Sequence, residues 1–316
     1  GFSAALVSVI VIAIISSVNI GLVRADTYYK QGQAYDGVGQ WQGAIFLYQK
    51  ALDIVPDEDY YYLFLGRSAL EQAKVVTDAG ERERWLSQAL TVLTRAQALN
   101  PLNTDHTANL ARFYRSRGEL QSTTAAREKD WQTALTYYQE ATQLSPNAAH
   151  LFNEKGLVYF LLANLARDDK QETVANGYFD DALTALNRSL ALDQIYPQTY
   201  LFLGDVWRSR GDNDKAIAAY QQTLKLSPGQ SQAWSALGYI YAQQGKVTEA
   251  ISANQKVTQI SPTDASAWRN LAILYQQTNQ FQVALDAAQE ALKYASDADK
   301  PTLQALVQQL QAQLPK

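Results

Sequence analysis

The stretch SQAWSALGYIYAQQGKVTEAISANQKVTQISPTD, residues 231–264, decides the fold. It holds Trp234, Leu237, Gly238 and Tyr241 at helical spacing, then Gly245 and Ala250, and it closes on Pro262. Apolar residues three and four apart line one face of a helix. Gly238 and Ala250 carry almost no side chain, so two helices can approach closely there. Gly245 suits a helix end, where a left-handed residue closes the last turn at little cost to glycine. Pro262 cannot continue a helix and starts the next unit. The 34 residues therefore read as two antiparallel helices joined by a short turn.

The same pattern returns in phase along the chain. Residues 25–58 carry Tyr28, Gly32, Tyr35, Gly39, Ala44, Tyr48, Ala51 and Pro56. Residues 197–230 carry Tyr200, Gly204, Trp207, Ala216, Tyr220 and Pro228, and residues 265–298 carry Trp268, Leu271, Ala272, Tyr275 and Ala284. Three copies are longer. Residues 59–103 have Tyr62, Leu65, Gly66 and Ala69, then Ala89, Leu93, Ala96 and Pro101, with eleven extra residues between the halves. Residues 104–148 have Leu110, Ala111, Tyr114 and Gly118, then Ala134, Tyr138, Ala141 and Pro146, again eleven longer. Residues 149–196 have Phe152, Gly156 and Tyr159, then Ala182 and Leu186, fourteen longer, with Gln194 where the proline should stand. The first insertion, KVVTDAGERER at 74–84, is polar and charged, which fits either an exposed loop or a helix extension. Residues 299–316 contain TLQALVQQLQAQL, amphipathic with glutamines outward, and read as a capping helix.

Seven in-phase copies resemble the tetratricopeptide repeat (TPR) family. The resemblance implies an all-α TPR solenoid of helix-turn-helix repeats plus a cap. Single hairpins cannot bury their apolar faces, so stability comes from stacking neighbours. The periodicity excludes a strand-rich fold.

Residues 2–23, FSAALVSVIVIAIISSVNIGLV, hold no charge over 22 positions. That length crosses a hydrocarbon core of about 30 Å as a helix, so one transmembrane helix or membrane anchor is expected at 1–24. The flanking charges, Arg24 and Lys30, both follow the span, and topology is poorly specified by them. Three other readings stay open. They are a signal peptide cleaved near Val23-Arg24-Ala25, a buried soluble helix, and a pilin-like start, for which Ala5 stands where a glutamate is usual. The chain starts at Gly1 and lacks methionine, so a processed chain or fragment is expected.

Composition narrows the function. With 316 residues, 47% hydrophobic and 18% charged, the chain is not disordered. A net charge of -4 argues against bulk electrostatic binding to nucleic acid. The absence of cysteine removes disulfides, zinc-thiolate sites and cysteine nucleophiles. His106 and His150 are the only histidines, and no nucleophile motif, phosphate loop or metal-spaced pair is present. No cofactor and no catalytic residue are therefore expected. Asp57/Asp59 and Asp180/Asp181 read as solvated turns and caps.

A TPR array offers a concave groove lined by set first-helix positions. Those positions give Asp105, Asn109, Arg112 and Arg115, then His150, Asn153 and Glu154, flanked by Arg67 and Arg208. The functional reading is an extended peptide or glycan ligand with anionic or hydroxyl groups. The structural reading is that Asp105, Arg112 and Glu154 pair between repeats. The carboxylate clamp of some TPR proteins needs Lys and Asn where this chain has Tyr29 and Gln33, so that resemblance fails.

NPLNTDHTANLARFYR (100–115) and LSPNAAHLFNEKGLVYF (144–160) resemble TPR tails of polytopic membrane proteins of the O-antigen ligase/polymerase family. That resemblance implies an extracytoplasmic array and an upstream membrane domain that does the glycan chemistry. The first expectation remains a membrane-anchored scaffold for a protein or peptide partner.

Overall fold

The computed structural model describes the backbone of residues 2–314 and the side chains of residues 20–314. Among them are fifteen α-helices and no strand. The chain divides into two compact units, residues 1–182 and 183–316. Unit 1 holds α1 (Phe2–Gly37), α2 (Trp41–Leu52), α3 (Asp59–Val75), α4 (Ala79–Leu99), α5 (Thr104–Leu120), α6 (Thr124–Leu144), α7 (Ala149–Asp168) and the first half of α8 (Glu172–Leu192). Unit 2 holds the rest of α8, then α9 (Pro197–Ser209), α10 (Asn213–Leu226), α11 (Ser231–Gln243), α12 (Val247–Ile260), α13 (Ala265–Gln277), α14 (Phe281–Tyr294) and α15 (Lys300–Gln313).

In unit 2 the short repeats set the standard. First helices run 13 residues and second helices 14. Gly238 lies under α12, where an added methyl would come 2.6 Å from Asn254 Nδ2. Gly245 has φ +70°, so the turn after α11 uses the left-handed region that a side chain disfavours. Trp234 and Trp268 each donate the indole N–H to the carbonyl of the preceding proline, Pro228 and Pro262. That bond ties each repeat's first helix to the turn before it. Leu303 and Leu310 of α15 are buried, and Leu310 closes the apolar cluster of Leu271, Ala272, Ala284 and Leu285.

In unit 1 the insertions are helix. In the repeat of α3 and α4 the first helix has 17 residues instead of 13 and the second 21 instead of 14. Four and seven make the eleven extra residues, and α5 and α6 repeat those lengths. Helices α7 and α8, at 20 and 21 residues, each gain seven, which accounts for fourteen. Four residues are about one turn and seven about two, so the apolar face stays in register through the added length. The added turns rise from buried residues at their base, Leu86, Trp131, Leu162 and Phe179. Trp131 lies on Gly118 and donates its N–H to the Arg115 carbonyl at 3.0 Å. Buried Asp130 is held by Arg117 in a two-pronged pair and by Gln121.

Two expectations need restating. Asp180 and Asp181 lie inside α8, not in a turn. Among the described residues no helix is long and apolar enough to cross a membrane. The span expected at 2–23 falls on residues 1–19 for most of its length, and their side chains lie outside those described.

Candidate functional site

A cleft of about 440 Å³ opens in unit 1 between the first helices of the first three repeats. Its origin is a step. Helix α1 ends at Gly37 after a first-helix stretch of ordinary length, while α3 and α5 run four residues further. Asp36, Gly37 and Trp41 form the low side, and Glu71, Lys74, Arg115 and Ser116 rise beside them.

Four of the sequence-selected residues line this cleft: Arg67, Asn109, Arg112 and Arg115. Arg67 is exposed, and its guanidinium lies 5.1 Å over the Phe64 ring. Among the described residues it meets no carboxylate. The other cations are engaged. Lys74 pairs with Glu71 at 2.6 Å and Arg115 with Glu119 at 2.6 Å. Arg112 grips Glu154 of the next repeat through Nε at 2.7 Å and a terminal nitrogen at 2.8 Å. Burial alone would lower the Arg112 pKa, but the Glu154 carboxylate outweighs it and holds the guanidinium above its ordinary value. Arg112 and Glu154 thus carry the inter-repeat pairing. Asn109 is nearly buried and spends its amide N–H on the Asp105 carbonyl.

The remaining candidates lie elsewhere. Asp105 is exposed on the first turn of α5, where its own N–H is capped by Asn103. His150 is exposed on the first turn of α7 and does not line the cleft. Asn153 is 1% exposed, with Oδ1 unpartnered. Arg208 belongs to unit 2, where its Nε is 3.3 Å from the Tyr220 hydroxyl and a terminal nitrogen 3.8 Å from Asp205.

Sequence reasoning missed the cleft floor. Asp36 accepts from the Tyr48 hydroxyl at 2.6 Å and from the Ser68 hydroxyl at 2.6 Å. The arrangement recurs. Tyr138 donates to Glu154 at 2.8 Å and Tyr220 to Asp205 at 2.7 Å. These three tyrosines are fully buried second-helix residues whose hydroxyls end against first-helix carboxylates. Burial first, and then the facing carboxylate, pushes all three phenols far above their ordinary pKa, so they act as fixed donors. Asp205 is itself raised by burial, against the pull of Tyr220 and Arg208.

The distinctive segment 100–115 is also accounted for locally. Asn103 caps α5, the Thr104 hydroxyl is 2.8 Å from that of Ser145, and buried His106 sits 2.7 Å from Asp59. Thr107 accepts from Gln97, and Leu110 and Phe113 are core residues. Among the described residues no group of three acidic or histidine side chains is placed to hold a metal.

Tetratricopeptide repeat profiles match residues 171–231 and 208–265, and another matches 25–58. The chain carries tetratricopeptide repeats. No curated protein matches the sequence. Solved TPR structures resemble it in fold. A thermophilic TPR protein of Thermus thermophilus is 22% identical, covering 67% of this chain and 98% of its own, with a TM-score of 0.53. A TPR protein of Parabacteroides merdae is 16% identical, covering 91% and 99%, at 0.56. The pilF protein of Pseudomonas aeruginosa is 17% identical, covering 78% and 96%, at 0.56. At these identities the likeness is one of fold. TPR arrays present extended binding surfaces to protein and peptide partners.

Proposed function

We propose that this TPR chain is a membrane-anchored interaction scaffold that grips an anionic peptide segment of a protein partner in the unit 1 cleft. The observation that carries this reading is Arg67. Among the described residues it is a cation without a carboxylate, set in a cleft whose other cations, Lys74, Arg112 and Arg115, are each paired with a carboxylate, Glu71, Glu154 and Glu119. A carboxylate or phosphate placed there would gain a charge-assisted hydrogen bond. Anchoring rests on the 22 uncharged residues at 2–23, and an extracytoplasmic array on the family resemblance alone.

The test is anisotropy with a labelled polyglutamate peptide and a matched polyglutamine control. The acidic peptide should bind more tightly. Arg67→Ala should weaken it by about tenfold, as loss of one charged hydrogen bond predicts. Because Arg67 is exposed, its loss should move stability by no more than about 0.5 kcal/mol. Equal binding of the two peptides would refute the anionic reading.

The alternative, a tail of an O-antigen ligase/polymerase-like enzyme with glycan partners, rests on segments 100–115 and 144–160. Most distinctive residues of the first have packing or capping jobs within unit 1, which favours the scaffold.

A further inference from the structure

Helix α1 does not stop where its apolar stretch ends. Residues 20–37 are one unbroken helix, and the first TPR helix takes over at Ala25 without a linker. At that junction Ile20, Leu22 and Val23 are 68%, 48% and 67% exposed. At about 100° per residue Ile20 and Val23 share one side of the helix and Leu22 lies about 100° round from Val23, so the exposed apolar surface spans nearly half the circumference. Apolar helix surface that broad belongs against a protein core or a bilayer, and unit 1 covers only the Gly21 side. The next turn brings Arg24 and Thr27, with the Arg24 guanidinium 5.8 Å over the Tyr28 ring. A long cation and a tyrosine directly after an apolar span are what the headgroup level favours.

Unit 1 is tied to that level. A methyl group on Gly21 would lie 3.6 Å from Ile54 Cγ2, so the α2–α3 turn comes alongside the apolar end of α1. Successive helices alternate in direction, which puts the α4–α5 turn, residues 100–103, on the same edge. Leu102 in that turn is 79% exposed. The cleft lies toward the opposite edge. Asp36 is thirteen residues beyond Val23, about 20 Å along a helix.

We propose that unit 1 stands on the lipid surface by this edge, with residues 53–58 and 100–103 at the headgroups and the cleft held about 20 Å above them. The inference rests on the anchoring reading. Because Asp53, Asp57 and Glu58 share that edge, attraction to anionic lipid is not its basis, and phosphatidylcholine vesicles are the probe.

These 316 residues hold no cysteine, so single reporters can be placed in the chain. Val23→Cys, Leu102→Cys, Val38→Cys and Ser122→Cys would each carry an environment-sensitive dye, with spin-labelled phosphatidylcholine as quencher. Val38 and Ser122 are exposed in the turns of the opposite edge. The expected result is that dyes at 23 and 102 lose most of their emission while those at 38 and 122 keep theirs. Quenching at 23 without quenching at 102 would overturn the proposal and leave the anchor standing. Equal quenching at 102 and 38 would overturn it too. No quenching at 23 would remove the anchor and the proposal together.

Discussion

A methyl group added at Gly32 would lie 2.6 Å from the Tyr48 ring, and one at Gly204 would lie 2.5 Å from that of Tyr220. Both rings are fully buried and held at their hydroxyls, so neither can step aside. Gly32→Ala and Gly204→Ala should each cost about 1–3 kcal/mol through overpacking, read from urea midpoints. Gly177 is the contrast. It is exposed within α8 and an added methyl meets nothing, so Gly177→Ala should stabilise by about 0.5–1 kcal/mol. Asp59 makes a different prediction. Burial would raise its pKa, but the hydrogen bonds from His106 and Asn100 outweigh it and leave the carboxyl below its ordinary value. A depressed carboxyl contributes stability above its unfolded pKa of about 3.9, and that contribution is lost as pH falls through the lower folded value. Asp59→Asn should therefore be less stable than the parent near neutrality. The gap should close below about pH 4, which urea titrations over the acid range would follow.

At the scale of elements, legibility differed between hairpins. The short ones could be read from spacing alone, because Gly238, Gly245 and Pro262 each have one structural use at their position. The long ones could not. KVVTDAGERER is as acceptable on a solvated helix as in a loop, and the apolar residues that decide between them, Leu86 and Trp131, lie outside or across the insertions. Trp131 shows what the added turns rest on. It is buried, covers Gly118 and is bonded to the Arg115 carbonyl. Trp131→Ala should cost about 3–5 kcal/mol. Hydrogen exchange should show the loss concentrated in the ends of α5 and α6, while α1 and α2 keep their protection.

At the scale of the whole molecule, the candidate site was legible only in part. Arg67, Asn109, Arg112 and Arg115 are cleft residues because they occupy groove positions any TPR would offer. Asp36, Ser68 and Lys74 escaped because their meeting depends on one first helix being shorter than its neighbours. The Arg112–Glu154 pairing joins different positions of successive repeats, so spacing within one repeat could not select it over a ligand role. The glutamate-peptide titration belongs to this scale too, since its affinity should fall with added salt as exposed charges are screened. The step that makes the cleft also limits how such a surface can vary. A hairpin can be deepened only by whole turns, because adding one or two residues would rotate the apolar face away from its neighbour. Ledge height is therefore quantised in increments of about 5.4 Å, the helical pitch, while the number of hairpins sets an independent second coordinate. A recognition surface of this kind changes by jumps, like a key cut to fixed depths.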